Sequence, residues 1–326
     1  MAIIRSGNRV KIFSFSFFLM CIFFIGLIST SNAASTSYAV ALNKGTQTYV
    51  ITEFDEEEWE DVVDDTLDPD DYFDGDSDEV GAKSRITIRN VADYKWDLFD
   101  ILILVVDILS YIPDDLPITN VSLILMAQLS KDYVDDTYTD KYNVWESFAV
   151  KWDFETEEFD ETPDESDYII PIFKDPGDLK DILEDYNNWA LKLNLTMLLL
   201  GLEPYPILDG DDFLWLLITS SMLAIASPFK KYLASVIEEL DCDDAKVKEN
   251  TLILERNGVE DYTIEVTFND QGLLSNLVVK KDNGRVMYEI AQDDTDIISL
   301  VVTGITAPIL IGTAVVFWKR RKKLKK

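Results

Sequence analysis

The sequence contains no histidine and only two cysteines among its 326 residues. Without histidine the chain cannot build a Ser-His-Asp or Cys-His catalytic centre, a histidine-ligated zinc site or a histidine pH switch. Cys21 lies in an N-terminal segment that we predict to be removed, so Cys242 would remain alone and no intramolecular disulfide could form. The mature chain must therefore be held together by its hydrophobic core.

Acidic residues are absent from the first 34 residues of the chain. Arg5, Arg9 and Lys11 precede an apolar run over 12–28, and small residues precede position 34. This order is the three-part pattern of a secretory signal peptide. We predict a signal peptide over 1–33 that is cleaved after Ala33, and an uncleaved N-terminal anchor is the alternative.

Charge is also absent from residues 297–318, which are followed by the strongly basic segment 319–326. A helix of this length spans about 33 Å at about 1.5 Å per residue, which is enough to cross a bilayer core of about 30 Å. Basic residues beside a span stay in the cytoplasm. The sequence thus predicts a single-pass type I protein of the cell membrane, with an extracellular domain over 34–296, a transmembrane helix over 297–318 and a basic cytoplasmic tail.

A second uncharged run covers residues 213–229. Pro228 limits its continuous helix to a length too short for a bilayer, and a second span would place the basic tail outside. We interpret the run as a buried core helix.

The predicted extracellular domain is strongly acidic. Ten of the 29 basic residues belong to the two ends of the chain, which leaves 19 against 61 acids and a net charge of −42. Such a surface repels nucleic acid and anionic lipid head groups. We therefore expect no nucleic-acid partner, and expect any surface partner to be basic or bridged by cations.

Hydrophobic periodicity predicts one α+β domain, in which helices pack on an antiparallel sheet. Residues 38–52 are predicted to form a β-hairpin, and 98–112 and 121–129 to form buried helices. A capped helix is expected to begin after Asp175. Turn dipeptides at Asn257-Gly258 and Asn283-Gly284 frame a four-stranded antiparallel meander over 251–291.

The densest acidic stretch, DPDDYFDGDSDE at 68–79, raises the question of a calcium site. Asp74, Asp76 and Asp78 have the alternating spacing that can bring carboxylate oxygens together, but neither frame of the stretch fits an EF-hand loop. These three residues are the candidate calcium ligands, and a solvated acidic loop is the alternative. No other cofactor is expected.

Other site motifs are weaker. Paired carboxylates could serve an extracellular hydrolase, but no pair among so many acids is distinguished by its sequence context, so no catalytic residue is assigned and the protein is not expected to be an enzyme. Asn120 and Asn194 each begin an Asn-X-Ser/Thr sequence and are candidate glycosylation sites.

Two resemblances follow from these features. The order of helices and meander over 175–291 resembles the half-barrel fold of lipoprotein carriers, which implies a carrier or sensor for an apolar ligand. The stretches QTYVITEFDE, DPDDYFDGDSDEVGAKS and FWKRRKKLKK resemble those of uncharacterised archaeal type I membrane surface proteins. The second resemblance implies a membrane-anchored surface protein with a non-enzymatic binding or envelope-structural role, which is our leading expectation.

Overall fold

Nine β-strands form a single antiparallel sheet in the order β4-β3-β2-β1-β9-β8-β7-β6-β5. The computed structural model describes residues 37–63, 68–105, 120–157, 159, 165–221 and 223–293. The strands are β1 (Gly45–Phe54), β2 (Lys83–Trp96), β3 (Tyr142–Glu155), β4 (Glu165–Phe173), β5 (Ala245–Lys248), β6 (Thr251–Asn257), β7 (Asp261–Phe268), β8 (Leu274–Lys281) and β9 (Val286–Gln292). The predicted signal peptide, transmembrane helix and basic tail lie outside the described residues.

Seven α-helices accompany the sheet in the described part of the chain. They are α1 (Glu56–Val62), α2 (Leu98–Val105), α3 (Asn120–Gln128), α4 (Lys131–Thr137), α5 (Gly177–Leu200), α6 (Gly210–Ser221) and α7 (Phe229–Leu240). The α+β class, the antiparallel sheet with packed helices and the C-terminal meander are thus confirmed. None of the helices in the described ranges is both long and apolar enough to cross a membrane.

The sheet is assembled from two halves of the chain. Strands β1 to β4 form one half and the meander β6 to β9 with β5 forms the other, and the pairing of β1 with β9 joins them. Helices α5 to α7 connect the two outer strands, β4 and β5. The connecting helices therefore lead from one edge of the sheet to the other, and buried side chains from both halves and from the helices form one hydrophobic core.

The sheet is curled around this core. Phe154 of β3 and Val266 of β7 line one small cavity with Ile218 of α6, although four strands separate β3 from β7 in the sheet. In a flat sheet strands five places apart lie about 24 Å apart. The sheet must therefore bend strongly toward α6 so that its inner side chains can converge.

The predicted hairpin over 38–52 is wrong. Only its second part is a strand, and β1 pairs with β2 and β9 instead of with the residues before Lys44. Ala39 forms an isolated bridge with Ser227. Because β1 pairs with β2 on one side and β9 on the other, more of its backbone N–H and C=O groups are hydrogen-bonded than in a local hairpin.

Two predicted helices also differ from the structure. The core helix predicted over 213–229 ends at Ser221. Residues 223–226 are buried but belong to no helix or strand, and Ile225 N donates to Gly272 O at 2.8 Å. The helix predicted over 121–129 exists as α3, but only Ser122 and Leu125 of it are buried. The part of the predicted helix 98–112 that follows Val105 lies outside the described residues.

The two ends of the sheet can be named from their residues. At one end, the Trp96 end, β2 finishes at Trp96 and β3 begins at its partner Tyr142. At the other, the Gly258 end, the β6–β7 turn lies against α1, with Glu260 N donating to Val62 O at 3.0 Å. The acidic stretch 68–79 connects α1 to the start of β2 and therefore belongs to the Gly258 end.

Candidate functional site

The acidic loop 68–79 is held in place by its few apolar residues. Phe73 stacks on Tyr288 with ring centroids 6.0 Å apart, and Tyr72 lies edge-on to Trp59 at 6.2 Å. The Tyr288 hydroxyl donates to Ser77 O at 2.9 Å, and Ser77 is fully buried. The loop is thus anchored to the core, while its seven acidic residues are exposed.

Backbone pairing fixes the same loop to the end of β3. Asp76 N donates to Phe154 O at 2.7 Å, and Phe154 N donates to Asp74 O at 3.1 Å. Gly75 lies between these bonds with a φ of +83°, and a Cβ there would come within 2.2 Å of Phe154 O. Glycine is required because it combines the left-handed backbone with this close approach.

The three candidate calcium ligands point to different partners. Asp74 Oδ2 accepts from Lys151 Nζ at 2.5 Å, and Asp76 Oδ2 accepts from Thr156 N at 3.1 Å. Asp78 is exposed. Within the described residues, no three or more acid or cysteine side chains are grouped so that they could hold a metal ion, and these three are not such a group. The structure therefore gives the calcium expectation no support.

Lys151 is the buried cation of this region. Its side chain is only 11% exposed and lies 2.5 Å from Asp74 and 3.1 Å from Asp153. Burial alone would lower the pKa of Lys151, but Tyr168 and the two carboxylates outweigh burial and raise it. The raised pKa favours the charged ammonium group, which ties the acidic loop to β3 through Asp74.

The cavity beside Lys151 is small. It is lined by Lys151, Asp74 and Ser84 on one side and by apolar residues of the sheet and α6 on the other. Its volume of about 20 Å³ is enough for about one water molecule, whereas ligand pockets usually enclose about 300–1,000 Å³. In this conformation the site can hold water or contribute to stability, but it cannot hold a lipid chain.

A second charged cluster lies at the Trp96 end. Asp97 is 5% exposed and accepts from Lys141 Nζ at 2.7 Å, while Lys131 Nζ lies 3.4 Å away. Asp97 and Asp100 also accept from each other's backbone N–H and so cap α2. Burial favours the neutral acid, but the hydrogen bonds from Lys141 and Asp100 outweigh it and lower the pKa of Asp97. The cluster ties α2 and α4 to the start of β3.

Asp178 is the carboxyl group that most resembles a general acid. Burial and the neighbouring Asp175 raise its pKa to about 6, although a backbone hydrogen bond from Asn143 acts in the opposite direction. Its Oδ2 atom is buried without a hydrogen-bond partner among the described residues. Asp185, about two helical turns further along α5, accepts from the Tyr142 hydroxyl at 2.9 Å. A raised pKa alone does not identify a catalytic acid, because carboxyl groups in purely structural networks are perturbed in the same way.

The two glycosylation candidates differ in their surroundings. Asn120 is exposed at the start of α3. Asn194 is half-buried, and its side-chain amide donates to Tyr205 O at 2.9 Å and accepts from Tyr205 N at 2.8 Å. A glycan on the Asn194 nitrogen would disrupt this pair of bonds. The structure thus gives Asn194 a structural role that the sequence motif did not reveal.

Comparison with known proteins finds no matching family model, no matching curated protein and no matching solved structure.

Proposed function

We propose that the protein is a membrane-anchored cell-surface protein with a non-enzymatic binding or envelope-structural role. The predicted signal peptide, span and basic tail support the location. The observation that carries the role is the filled interior of the curled sheet, where buried side chains of sheet and helices form one continuous core. Because the cavity that the described residues form between the sheet and α6 encloses only about 20 Å³, we assign the proposed role to the outer surface.

The outer surface is suited to basic or cation-bridged partners. The seven acids of the loop 68–79 are exposed, and only Asp74 among them pairs with a described lysine or arginine. The anchoring of the loop by Phe73 and Ser77 presents these carboxylates from a fixed backbone. A preorganised charged surface loses less conformational entropy when it binds than a flexible one does.

A carrier or sensor for an apolar ligand is the second candidate. The nine-stranded antiparallel sheet curls around helices, as a half-barrel carrier would require. The cavity between sheet and α6 would have to grow from about 20 Å³ to several hundred, which means that α6 would have to move outward. A carboxylate-dependent hydrolase is the third candidate and would depend on Asp178.

Native mass spectrometry of the chain purified in a mild detergent tests the role. We expect the mass of the chain alone after the detergent is removed in the gas phase. A stoichiometric apolar molecule that remains bound would contradict the filled interior and favour the carrier. As a control, Leu277→Ala would enlarge the cavity from the sheet side, and any weak binding of small apolar molecules should increase in that variant.

A further inference from the structure

Two neighbouring helices expose apolar side chains to solvent. On α5, Leu191, Leu195 and Leu198 recur at helical spacing on the outward face, where an ordinary surface helix carries polar residues. Helix α3 contacts α5 and exposes more than half of three large side chains. We call the following residues the apolar helix surface: Leu123, Ile124 and Met126 of α3 with Leu191, Leu195, Leu198 and Leu199 of α5. Clustered exposure of this kind marks an interaction site.

The apolar helix surface itself carries no acidic residue. Helix α3 has no charged residue, and α5 has only Lys192 after position 189. The exposed acids of the loop 68–79 lie at the opposite, Gly258 end of the sheet. Exposed acids also lie at the Trp96 end, at Asp132, Asp136 and Asp140, so the local absence of acidic charge is confined to the two helices. On these helices an approaching lipid head group would meet less repulsion than on the acidic surfaces beside them.

The strand connections place this surface at the Trp96 end. Helix α3 belongs to the segment between Trp96, where β2 ends, and Tyr142, where β3 begins. The second half of α5 reaches the same place, since Lys192 Nζ donates to the Tyr138 hydroxyl at 3.0 Å.

The chain leaves the sheet in the direction of the Trp96 end. Strand β9 runs antiparallel to β1, so its last residue Gln292 lies opposite Tyr49 and its continuation points toward the start of β1. The start of β1 faces the second half of β2, because Gly45 pairs with Ile88. The predicted span begins at Ile297, and four residues after Asp293 reach at most about 14 Å. An anchored domain would thus hold its Trp96 end toward the bilayer.

We propose that the apolar helix surface inserts into the outer leaflet of the membrane that anchors the chain. This inference rests on the proposed membrane anchor. A short tether raises the effective concentration of the surface at the bilayer, and the leucines and methionine gain by leaving water. The tether limits tilting, so the acidic Gly258 end faces away from the membrane.

The experiment uses the full chain in phosphatidylcholine vesicles, in a Cys21→Ser and Cys242→Ser background. A nitroxide is attached at Leu195→Cys, on the apolar helix surface. The matched control is Val259→Cys, which is 60% exposed, close to the 67% of Leu195, but lies at the Gly258 end. Power saturation with oxygen and with a water-soluble nickel chelate measures contact with lipid and with water, and Met126→Cys repeats the measurement on α3.

We expect the ratio of oxygen to nickel accessibility to be several-fold higher at positions 195 and 126 than at 259. Equal ratios at positions 195, 126 and 259, in a chain that alkaline carbonate does not extract from the vesicles, would overturn the proposed insertion but not the membrane anchor. Spin–spin broadening at position 195 could also appear without a raised ratio of oxygen to nickel accessibility. If dilution with unlabelled chain removed that broadening, the surface would bind a second copy of the chain, which would likewise overturn the proposal. Extraction of the chain by carbonate would overturn the anchor and the insertion together.

Discussion

Substitution of Gly75 by alanine tests whether the acidic loop is fixed to β3. The matched control is Gly284→Ala, because the two glycines have φ angles of +83° and +84° but a Cβ at Gly284 would meet nothing within 4 Å. Both variants pay about 1 kcal/mol for a left-handed alanine. At Gly75 the new Cβ would also lie 2.2 Å from Phe154 O and 2.8 Å from Phe154 N, so the backbones must separate.

That separation breaks two backbone hydrogen bonds, those between Asp76 and Phe154 and between Phe154 and Asp74. Each is worth about 1 kcal/mol net, and the pairing of Asp74 with Lys151 is weakened as well. We therefore expect Gly75→Ala to lower the free energy of unfolding by about 3–4 kcal/mol and Gly284→Ala by about 1 kcal/mol.

Urea titration followed by tryptophan fluorescence measures both losses, and amide hydrogen exchange locates the first one. In Gly75→Ala the amides of Asp76 and Phe154 should exchange faster, while those of the β8–β9 turn should not. Equal losses of stability in the two variants, with unchanged exchange at Phe154, would refute the anchored loop.

Three further predictions concern other sites. Asn194→Ala should lower the free energy of unfolding by about 2 kcal/mol, because it removes both side-chain hydrogen bonds to the backbone of the buried Tyr205. Asn120→Ala should change the free energy of unfolding by less than about 0.5 kcal/mol. Equal effects in urea titrations would contradict the structural role of Asn194. The pKa of Asp178 is about 6 in the folded chain, above its unfolded value, so its ionisation should lower the free energy of unfolding as pH rises from about 4 to 6. Asp178→Asn should flatten the plot of unfolding free energy against pH over this range. An unchanged plot would be evidence against the raised pKa. The pKa of Asp97 is lowered in the folded chain, so its contribution to stability should be present above about pH 4 and be lost on acidification. Asp97→Asn keeps the helix cap but should lower the free energy of unfolding by about 2 kcal/mol at pH 7, measured by denaturant titration. No loss of stability would show that the pairing with Lys141 does not stabilise the fold.

The meander was predictable because its signals are local. Tight-turn dipeptides at Asn257-Gly258 and Asn283-Gly284 and alternating side chains within each strand determine the pairing of β6 to β9. The partners of β1 could not be predicted from the sequence, because β9 lies more than two hundred residues further along the chain. Periodicity shows that a segment is a strand, but it does not show which distant strand it pairs with.

The candidate sites show a similar division. The acidity of 68–79 was visible in the sequence, but the anchoring of the loop through Phe73 and Ser77 depends on contacts with the distant Tyr288. The Asp-X-X-Asp spacing of Asp97 and Asp100 is a local capping signal that could have located the start of α2. The ion pair of Asp97 with Lys141 forms only when the chain returns to the start of β3, so the local spacing could not predict it.

Two-sided labelling of the full chain tests whether the described domain lies on the outside of the cell and the basic tail in the cytoplasm. Single cysteines at Val259 and Lys325, in the cysteine-free background, are exposed to a membrane-impermeant maleimide in intact cells and again after lysis. We expect Val259→Cys to be labelled in intact cells and Lys325→Cys to be labelled only after lysis. Labelling of position 325 in intact cells, or protection of position 259 until lysis, would contradict the proposed type I topology.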